Sequence, residues 1–208
     1  TVNTSLPATD EVSGSVDTNF ARYRVLMPLG RGGMSEVLLA EAVRKGGFRK
    51  LVVLKRLLAE MSSDVQMRSG FMREGELSAR LNHPNVVQVH EVHEEEGSPV
   101  LVMEFLDGLT LAEILHGLTE EIPLRLHVHV LCQVLAGLHY FHELCDYDGS
   151  PLGAVHRDVS PHNVMLTYEG AIKVLDFGIA KQANVDGDAT ATGMVKGKLH
   201  YMPAEQLT

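Results

Sequence analysis

Three side chains with oxygen donors stand at fixed spacings in the second half of the chain. Asn163 lies five residues after Asp158, and Asp176 lies thirteen residues after Asn163. Between the last two, Val164–Leu166 and Ala171–Leu175 have the composition of two short strands joined by a turn. A hairpin of this length would bring Asn163 and Asp176 side by side. An amide and a carboxylate so placed suit Mg²⁺, which prefers oxygen ligands and keeps phosphate oxygens among them.

Asp158 is a second carboxylate within reach of the same site. Facing a phosphate held at Asn163 and Asp176, it could orient an incoming hydroxyl and accept its proton. The three residues together therefore predict phosphoryl transfer from a magnesium nucleotide to a hydroxyl group.

A glycine-rich turn and a lysine in the first half of the chain could hold the phosphates. The turn contains Gly30, Gly32 and Gly33, and glycine lets backbone amides approach a phosphate closely. An apolar strand follows and ends at Lys55. Alone, the turn also fits an ordinary hairpin and the lysine fits a strand edge. Their order along the chain is what favours phosphate binding.

A lysine in this position needs a carboxylate partner, and the segment Phe71–Leu81 offers two. The segment has the pattern of an amphipathic helix, with Glu74 and Glu76 in it. Because these glutamates are two residues apart, they point to different faces of the helix, and only one of them can face Lys55.

The order of these features resembles that of the protein kinase family. His156–Asp158 followed by Asn163, and then Asp176–Gly178, match the catalytic and metal-binding loops of that family. The stretch Leu199–Gln206 resembles the Y-M-S-P-E-Q motif of bacterial serine/threonine kinases. The resemblance covers Tyr23–Gln206 and keeps the motif order throughout.

The resemblance implies an α+β, two-lobed protein kinase fold. The N-lobe would be a five-stranded antiparallel sheet with one helix, and the C-lobe would be mainly helical and truncated after the activation segment. The predicted domains are a disordered leader at 1–21, an N-lobe at 22–104 and a partial C-lobe at 105–208.

The resemblance also implies a role for each site residue, with ATP and Mg²⁺ (or Mn²⁺) in the cleft. Asp158 would be the catalytic base, and Asn163 and Asp176 would hold the metal. Lys55 would position the phosphates, and the family's spacing selects Glu74 as its partner.

An adenine pocket at the junction of the lobes is implied in the same way. Its residues would be the gatekeeper Met103, the hinge backbone of Glu104 and Leu106, and the side chains of Val37, Val53 and Met165.

Three departures from the family pattern bear on the chemistry. The family usually has a lysine two residues after the catalytic Asp, where this chain has Ser160, and a threonine where it has Lys198. In the family these two positions are neighbours in space, so we hypothesise that Lys198 supplies the charge missing at Ser160. The alternative is that Lys198 extends into solvent. The third departure is that the helices which normally follow the closing motif are absent, so we expect these 208 residues alone to be poorly stable or inactive. Ala204 also stands at the usual proline of the closing motif.

The segment between Gly178 and Gly197 resembles an activation loop, and its only hydroxyl side chains are Thr190 and Thr192. We expect autophosphorylation there. Arg157 and Lys181 would receive the phosphate, which forms charge-assisted hydrogen bonds.

Composition limits the partners and the compartment. The chain has 208 residues, 45% of them hydrophobic and 22% charged, with a net charge of −9. An acidic chain is a poor candidate for binding nucleic acid or an anionic membrane. The two cysteines provide no disulfide framework, and no signal peptide or membrane-spanning run is visible, so a cytoplasmic location is expected.

Protein substrates are the partners that the resemblance implies, but two other functions remain open. A pseudokinase would hold the nucleotide without transferring phosphate, and Ser160 and Ala204 mildly favour it. A small-molecule kinase of the same fold is disfavoured by the Asp176–Gly178 motif and the closing motif, which both favour protein substrates.

Overall fold

The computed structural model describes residues 19–20, 22–43, 47, 49–95, 97–119, 121–176 and 201. Residues 1–18 of the predicted leader lie outside the described residues. Four predicted functional residues also lie outside them: Lys181, Thr190, Thr192 and Lys198. Within the described ranges, no helix combines the length and the apolar character needed to cross a membrane.

The first lobe is built on an antiparallel sheet with the strand order β1-β2-β3-β4-β6-β5. The strands are β1 (Asn19–Phe20), β2 (Tyr23–Arg31), β3 (Ser35–Val43), β4 (Arg49–Leu57), β5 (Val89–Glu95) and β6 (Ser98–Glu104). The five predicted strands are present, and β1 is added at the edge. The sheet therefore begins before residue 22, inside the predicted leader, because Asn19 and Phe20 pair with the start of β2.

Alternation along the strands gives the sheet two apolar faces. One face buries a cluster formed by Tyr23, Leu38, Ala40, Ala42, Val52, Leu54, Val100 and Val102. On the other face, Phe71 of helix α2 (Val65–Ala79) packs into a cluster that includes Leu101. The helix approaches closely at Gly75, where an added Cβ would lie 3.1 Å from side-chain atoms of Leu101.

Helix α2 begins six residues before the predicted segment Phe71–Leu81. A short helix α1 (Ala59–Ser62) precedes it, so the N-lobe has a second helix beside the one predicted. Asp64 caps α2 by accepting hydrogen bonds of 2.8 and 3.2 Å from two amides of its first turn. An N-cap of this kind stabilises a helix start that apolar periodicity alone does not reveal.

The second lobe combines two helices with a small sheet. Its elements are β7 (Gly108–Thr110), α3 (Leu111–Gly117), α4 (Leu124–His142), a 3₁₀ turn (Pro161–Asn163), β8 (Val164–Thr167) and β9 (Ile172–Val174). The predicted hairpin is the antiparallel pair β8–β9, with Val164 opposite Val174. The fully buried Phe141 of α4 packs in the core of this lobe with Ile172 and both of these valines.

The segment between α2 and β5 ties the two lobes together. Strand β5 starts only at Val89, because the backbone before it pairs with β9 instead. The Val87 amide donates to the Val174 carbonyl at 3.0 Å, and the Val174 amide donates to the Asn85 carbonyl at 2.8 Å. Helix α4 passes this segment at Gly137, where a Cβ would lie 2.8 Å from the Asn85 carbonyl oxygen.

Candidate active site

A lysine bound by two carboxylates lies between the lobes. The Lys55 ammonium donates to Glu74 Oε1 at 3.0 Å and to Asp176 Oδ1 at 2.8 Å. The side chains of Lys55 and Glu74 are 11% and 9% exposed, whereas that of Asp176 is 45% exposed. The pair with Glu74 is therefore interior to the N-lobe, and Asp176 is the more exposed of the two carboxylates that bind Lys55.

The register of α2 decides which glutamate meets the lysine. Phe71, Glu74, Gly75 and Ser78 are the buried residues of the helix, and they recur at the spacing of one helical face. Glu76 is exposed on another face. The structure thus brings Glu74 to Lys55 and leaves Glu76 away from it.

The charge of Lys55 is secured by its neighbours. Burial alone would lower the pKa of the Lys55 ammonium, but the negative charges of Asp176 and Glu74 and their hydrogen bonds outweigh burial and raise it. Lys55 is therefore a permanent cation at physiological pH, as a group that holds phosphates must be.

Replacement of Glu74 by Gln should lower kcat/KM for phosphate transfer about 10- to 100-fold, the equivalent of roughly 1.4–2.8 kcal/mol of lost positioning. The reason is that the glutamine oxygen can still accept a hydrogen bond from Lys55 but carries no negative charge, so Asp176 is then the one charged partner of Lys55 among the described residues. Glu76→Gln is the matched control, two residues away on an exposed face, and should leave the rate unchanged. Steady-state kinetics of both variants checks this; equal effects would mean that the ion pair does not position the lysine.

The predicted base and one predicted metal ligand are hydrogen-bonded to each other. Asn163 donates its side-chain amide to the Asp158 backbone carbonyl at 2.8 Å and to Asp158 Oδ2 at 3.1 Å. The Asn163 carbonyl accepts from the Leu175 amide at 2.8 Å, which places Asn163 beside the residue that precedes Asp176. The β8–β9 hairpin therefore brings Asp158, Asn163 and Asp176 to one end of the small sheet.

Two of the site residues have strained backbones. Arg157 has φ 60° and Asp176 has φ 44°, the left-handed region that non-glycine residues avoid. Each such residue costs on the order of 1–3 kcal/mol and persists only where the surroundings impose it. Arg157 directly precedes the carboxylate of Asp158, and Asp176 is itself the second carboxylate predicted to act in the chemistry. The backbone strain therefore lies at the positions that orient these two side chains.

His156 is the buried support of the catalytic loop. It is 1% exposed, its Nε2 donates to the Leu175 carbonyl at 3.0 Å, and its Nδ1 accepts from the Asp158 amide at 3.3 Å. The imidazole thus links the segment before Asp176 to the segment of Asp158. The sequence predicts no separate role for His156, because nothing in its local pattern distinguishes a buried histidine from an exposed one.

The stability contributed by neutral His156 should decline at acidic pH. Burial lowers the pKa of this imidazole below its ordinary value in the folded protein. As pH falls below about 6.5, the unfolded chain binds a proton that the folded chain does not, so the free energy of unfolding decreases.

The variant His156→Phe isolates this effect. It should lose about 1–3 kcal/mol at pH 8 because the Leu175 carbonyl loses the hydrogen bond that Nε2 donates. The Asp158 amide keeps its 2.8 Å hydrogen bond to the backbone carbonyl at position 156. The stability of the variant should also fall less steeply than that of the wild type below about pH 6.5. Urea unfolding at several pH values measures both; identical pH profiles of the two proteins would contradict a neutral buried His156.

Asn163 and Asp176 fit a magnesium ion. The Asn163 amide nitrogen is engaged by Asp158, so its amide oxygen is the atom left to bind a cation. The half-exposed Asp176 carboxylate supplies the negative ligand. Among the described residues, no group of three or more His, Cys, Asp or Glu side chains could hold a metal.

The predicted adenine residues are divided between the two lobes. Val53 lies opposite Met103 in the β4–β6 pairing, and Val53 and Leu106 pack against the buried cluster that contains Met103. Val37 lies opposite Lys55 and is half-buried, as is Met165 in β8. The backbone amide of Glu104 is engaged by the Gln88 carbonyl at 2.9 Å.

The glycine-rich turn has open space above it. Added Cβ atoms at Gly30 and Gly33 would meet nothing within 4 Å, and at Gly32 the nearest atom is the Ser35 carbonyl oxygen at 3.6 Å. No described neighbour therefore explains the glycines by crowding. The tip of the turn is fixed to the lobe by a 2.9 Å hydrogen bond from the Leu58 amide to the Met34 carbonyl.

Ser160 differs from His156 and Asn163 of the same loop, whose polar side chains form hydrogen bonds. The residue is 4% exposed, and its hydroxyl has no hydrogen-bond partner among the described residues. An unpaired buried hydroxyl costs about 1–3 kcal/mol. The charge exchange predicted between Ser160 and Lys198 stays a prediction, since Lys198 lies outside the described residues.

Comparison with known proteins gives consistent similarities. A family model for the protein kinase domain matches residues 23–208. The chain is 39% identical to the tyrosine-protein kinase MasK of Myxococcus xanthus over 206 residues, covering 98% of this chain and 32% of MasK. It is 36% identical to the serine/threonine-protein kinase PknB of Mycobacterium tuberculosis over 190 residues, covering 89% of this chain and 28% of PknB.

A solved structure with a similar fold is the PknI kinase domain of Mycobacterium tuberculosis. It aligns with a TM-score of 0.61 at 33% identity, covering 78% of this chain and 62% of that domain. The chain spans about a third or less of the length of the curated relatives named above.

Proposed function

The chain belongs to the protein kinase family, and we propose that the complete protein transfers the γ-phosphate of ATP to serine and threonine hydroxyls of other proteins. The observation that carries this proposal is the joint placement of two sets of groups. Lys55 is held by Glu74 and Asp176, and Asp158 is hydrogen-bonded to Asn163 on the same hairpin.

In the proposed mechanism, Lys55 neutralises phosphate charge while Glu74 keeps its ammonium in place. Asn163 and Asp176 would hold Mg²⁺, which supplies the charge neutralisation that phosphoryl transfer requires. Mn²⁺ satisfies the same oxygen ligands.

Asp158 performs the proton step. Its carboxylate orients the acceptor hydroxyl and takes the proton as the oxygen attacks phosphorus. The side-chain amide of Asn163 donates to Asp158 Oδ2 at 3.1 Å and so fixes the orientation of the carboxylate. This pre-organisation means that the base need not reorient during the reaction.

The adenine end of the nucleotide is assigned to the junction of the lobes. Met103 would be the gatekeeper, the backbone of Glu104 and Leu106 would bond the base, and an apolar lining with few polar anchors suits a planar ring. The remaining lining residues are Val37, Val53 and Met165. The backbone at Gly30, Gly32 and Gly33 would approach the phosphates, since no described side chain crowds these positions. The Gly32 amide itself donates to the Ser35 carbonyl at 2.8 Å.

Serine and threonine are favoured as acceptors because relatives from Streptomyces, Mycobacterium and Lactococcus are named serine/threonine kinases. Tyrosine is the second candidate, because the Myxococcus relative is named a tyrosine-protein kinase. With the net charge of −9 and only two cysteines, we assign the reaction to the cytoplasm and to protein substrates rather than nucleic acid.

The test is phosphate transfer by the complete protein from labelled ATP and Mg²⁺ to a generic protein such as casein, followed by phosphoamino-acid analysis. Label on serine and threonine is the expected result. Label on tyrosine alone would replace the proposed acceptor, and nucleotide binding without transfer would favour the pseudokinase alternative. Mass spectrometry of the same sample shows whether Thr190 or Thr192 is phosphorylated, with Arg157 and Lys181 as the proposed receivers.

A further inference from the structure

One oxygen atom at the end of β6 joins the two lobes. Oε1 of Glu104 accepts a hydrogen bond of 2.7 Å from the Lys173 ammonium of β9 and another of 2.7 Å from the Gln88 backbone amide. The same ammonium reaches the Val86 carbonyl at 3.3 Å. We call this group, Glu104 with Lys173, Gln88 and Val86, the hinge clasp.

The hinge clasp is shielded from solvent, so the attraction between its two charges is screened less than that of an exposed ion pair. The side chains of Lys173 and Glu104 are 15% and 22% exposed. By comparison, the side chains of Arg68 and Glu94, which form an ion pair within the first lobe, are 39% and 43% exposed. Exposed pairs contribute little because water screens them, whereas a partly buried pair keeps more of its Coulomb energy.

The two partners of the clasp stand at the two ends of the proposed nucleotide site. Glu104 is the last residue of β6, and its backbone begins the proposed adenine contact. Lys173 lies in β9, three residues before Asp176, which would hold the metal. The clasp therefore connects the segment that would bind the base with the segment that would bind the phosphates.

We propose that the Glu104–Lys173 clasp is a positioning device that fixes the separation between the adenine-binding backbone and the metal-binding carboxylate. This inference rests on the proposed function. A site whose two ends are held at the correct distance before binding loses less conformational freedom when the nucleotide arrives, and so binds it more tightly. The clasp touches no reacting atom and acts through Glu104 and Asp176.

The experiment measures MgADP affinity by calorimetry, and KM for ATP and kcat, in the complete protein. Glu104→Gln keeps an acceptor for Gln88 but removes the charge, and Lys173→Met keeps the length of the side chain. Each should weaken MgADP binding and raise KM about 5- to 20-fold, the size typical of coupling between sites, with kcat changed less than about threefold.

Two further variants separate positioning from general stability. Lys173→Arg keeps the charge and the reach, so it should restore KM to within about threefold of the wild type. The double variant Glu104→Gln with Lys173→Met should bind MgADP about as tightly as the single variant with the lower affinity. The reason is that both substitutions remove the same interaction. The control pair Arg68→Met and Glu94→Gln should leave KM unchanged. If Glu104→Gln does not fold, the two Lys173 variants carry the comparison.

Additive effects of the two clasp variants, or an unchanged KM, would overturn the clasp while leaving the proposed function intact. A higher kcat at unchanged affinity would also overturn it, because the pair would then restrain the lobes rather than position them. Absence of both MgADP binding and phosphate transfer in the wild type would instead remove the proposed function, and the clasp's role with it.

Discussion

Replacement of Asp158 by Asn lowers the turnover number of the complete protein by about 10²–10⁴-fold, the contribution typical of a general base. The asparagine amide occupies the same volume but cannot accept the proton of the incoming hydroxyl. Its oxygen can still accept the 3.1 Å hydrogen bond that Asn163 now donates to Asp158 Oδ2. The loop geometry should therefore survive the substitution, and the loss should appear in kcat rather than in folding.

The affinity for MgADP distinguishes a role of Asp158 as a base from a role in binding the nucleotide. MgADP binding, measured by calorimetry, should stay within about threefold of the wild type, because only a group acting in the transition state lowers kcat without changing binding. Asp148→Asn makes the same exchange in a turn where the aspartate accepts hydrogen bonds from the amide and the hydroxyl of Ser150. That control should keep full activity. Turnover of Asp158→Asn near the wild-type rate would remove Asp158 from the mechanism.

The parts of the site that follow from local sequence were predicted well. The two strands between Asn163 and Asp176 form the predicted hairpin, because alternating apolar residues around a short turn admit few other structures. Helical periodicity also placed Glu74 and Glu76 on different faces of α2, and the family's spacing selected Glu74.

The parts that depend on contacts between distant segments were not predicted. Val86 and Val87 look like the start of a strand, yet their backbone pairs with β9, some 87 residues later. Lys173 looks like an exposed strand residue until the fold brings it to Glu104, 69 residues away. His156 gave no signal because its two partners, the Leu175 carbonyl and the Asp158 amide, are backbone groups without a sequence signature. Periodicity reports the environment of a strand or helix, and it does not report which segment will lie beside it.

Replacement of Asp176 by Asn abolishes most magnesium-dependent phosphate transfer, because Asp176 serves both the metal site and Lys55. The substitution removes the one negatively charged ligand assigned to the metal, and it also removes one of the two carboxylates that hold Lys55, at 2.8 Å. A unit charge about 4 Å from its partner is worth about 4 kcal/mol at an effective dielectric near 20. If that stabilisation acts in the transition state, its loss corresponds to roughly 10³-fold in rate.

The signature of Asp176→Asn differs from that of Asp158→Asn in the response to magnesium. Wild-type protein should bind ADP more tightly when Mg²⁺ is present, whereas Asp176→Asn should bind it equally with and without the ion, since the carboxylate that holds the metal is gone. Calorimetric titration with ADP at zero and saturating Mg²⁺, alongside the Asp148→Asn control, measures this difference. Retention of the magnesium effect in Asp176→Asn would assign the metal to other ligands and leave Asp176 only as a partner of Lys55. Loss of the effect in Asp158→Asn as well would mean that the base and the metal site cannot be separated.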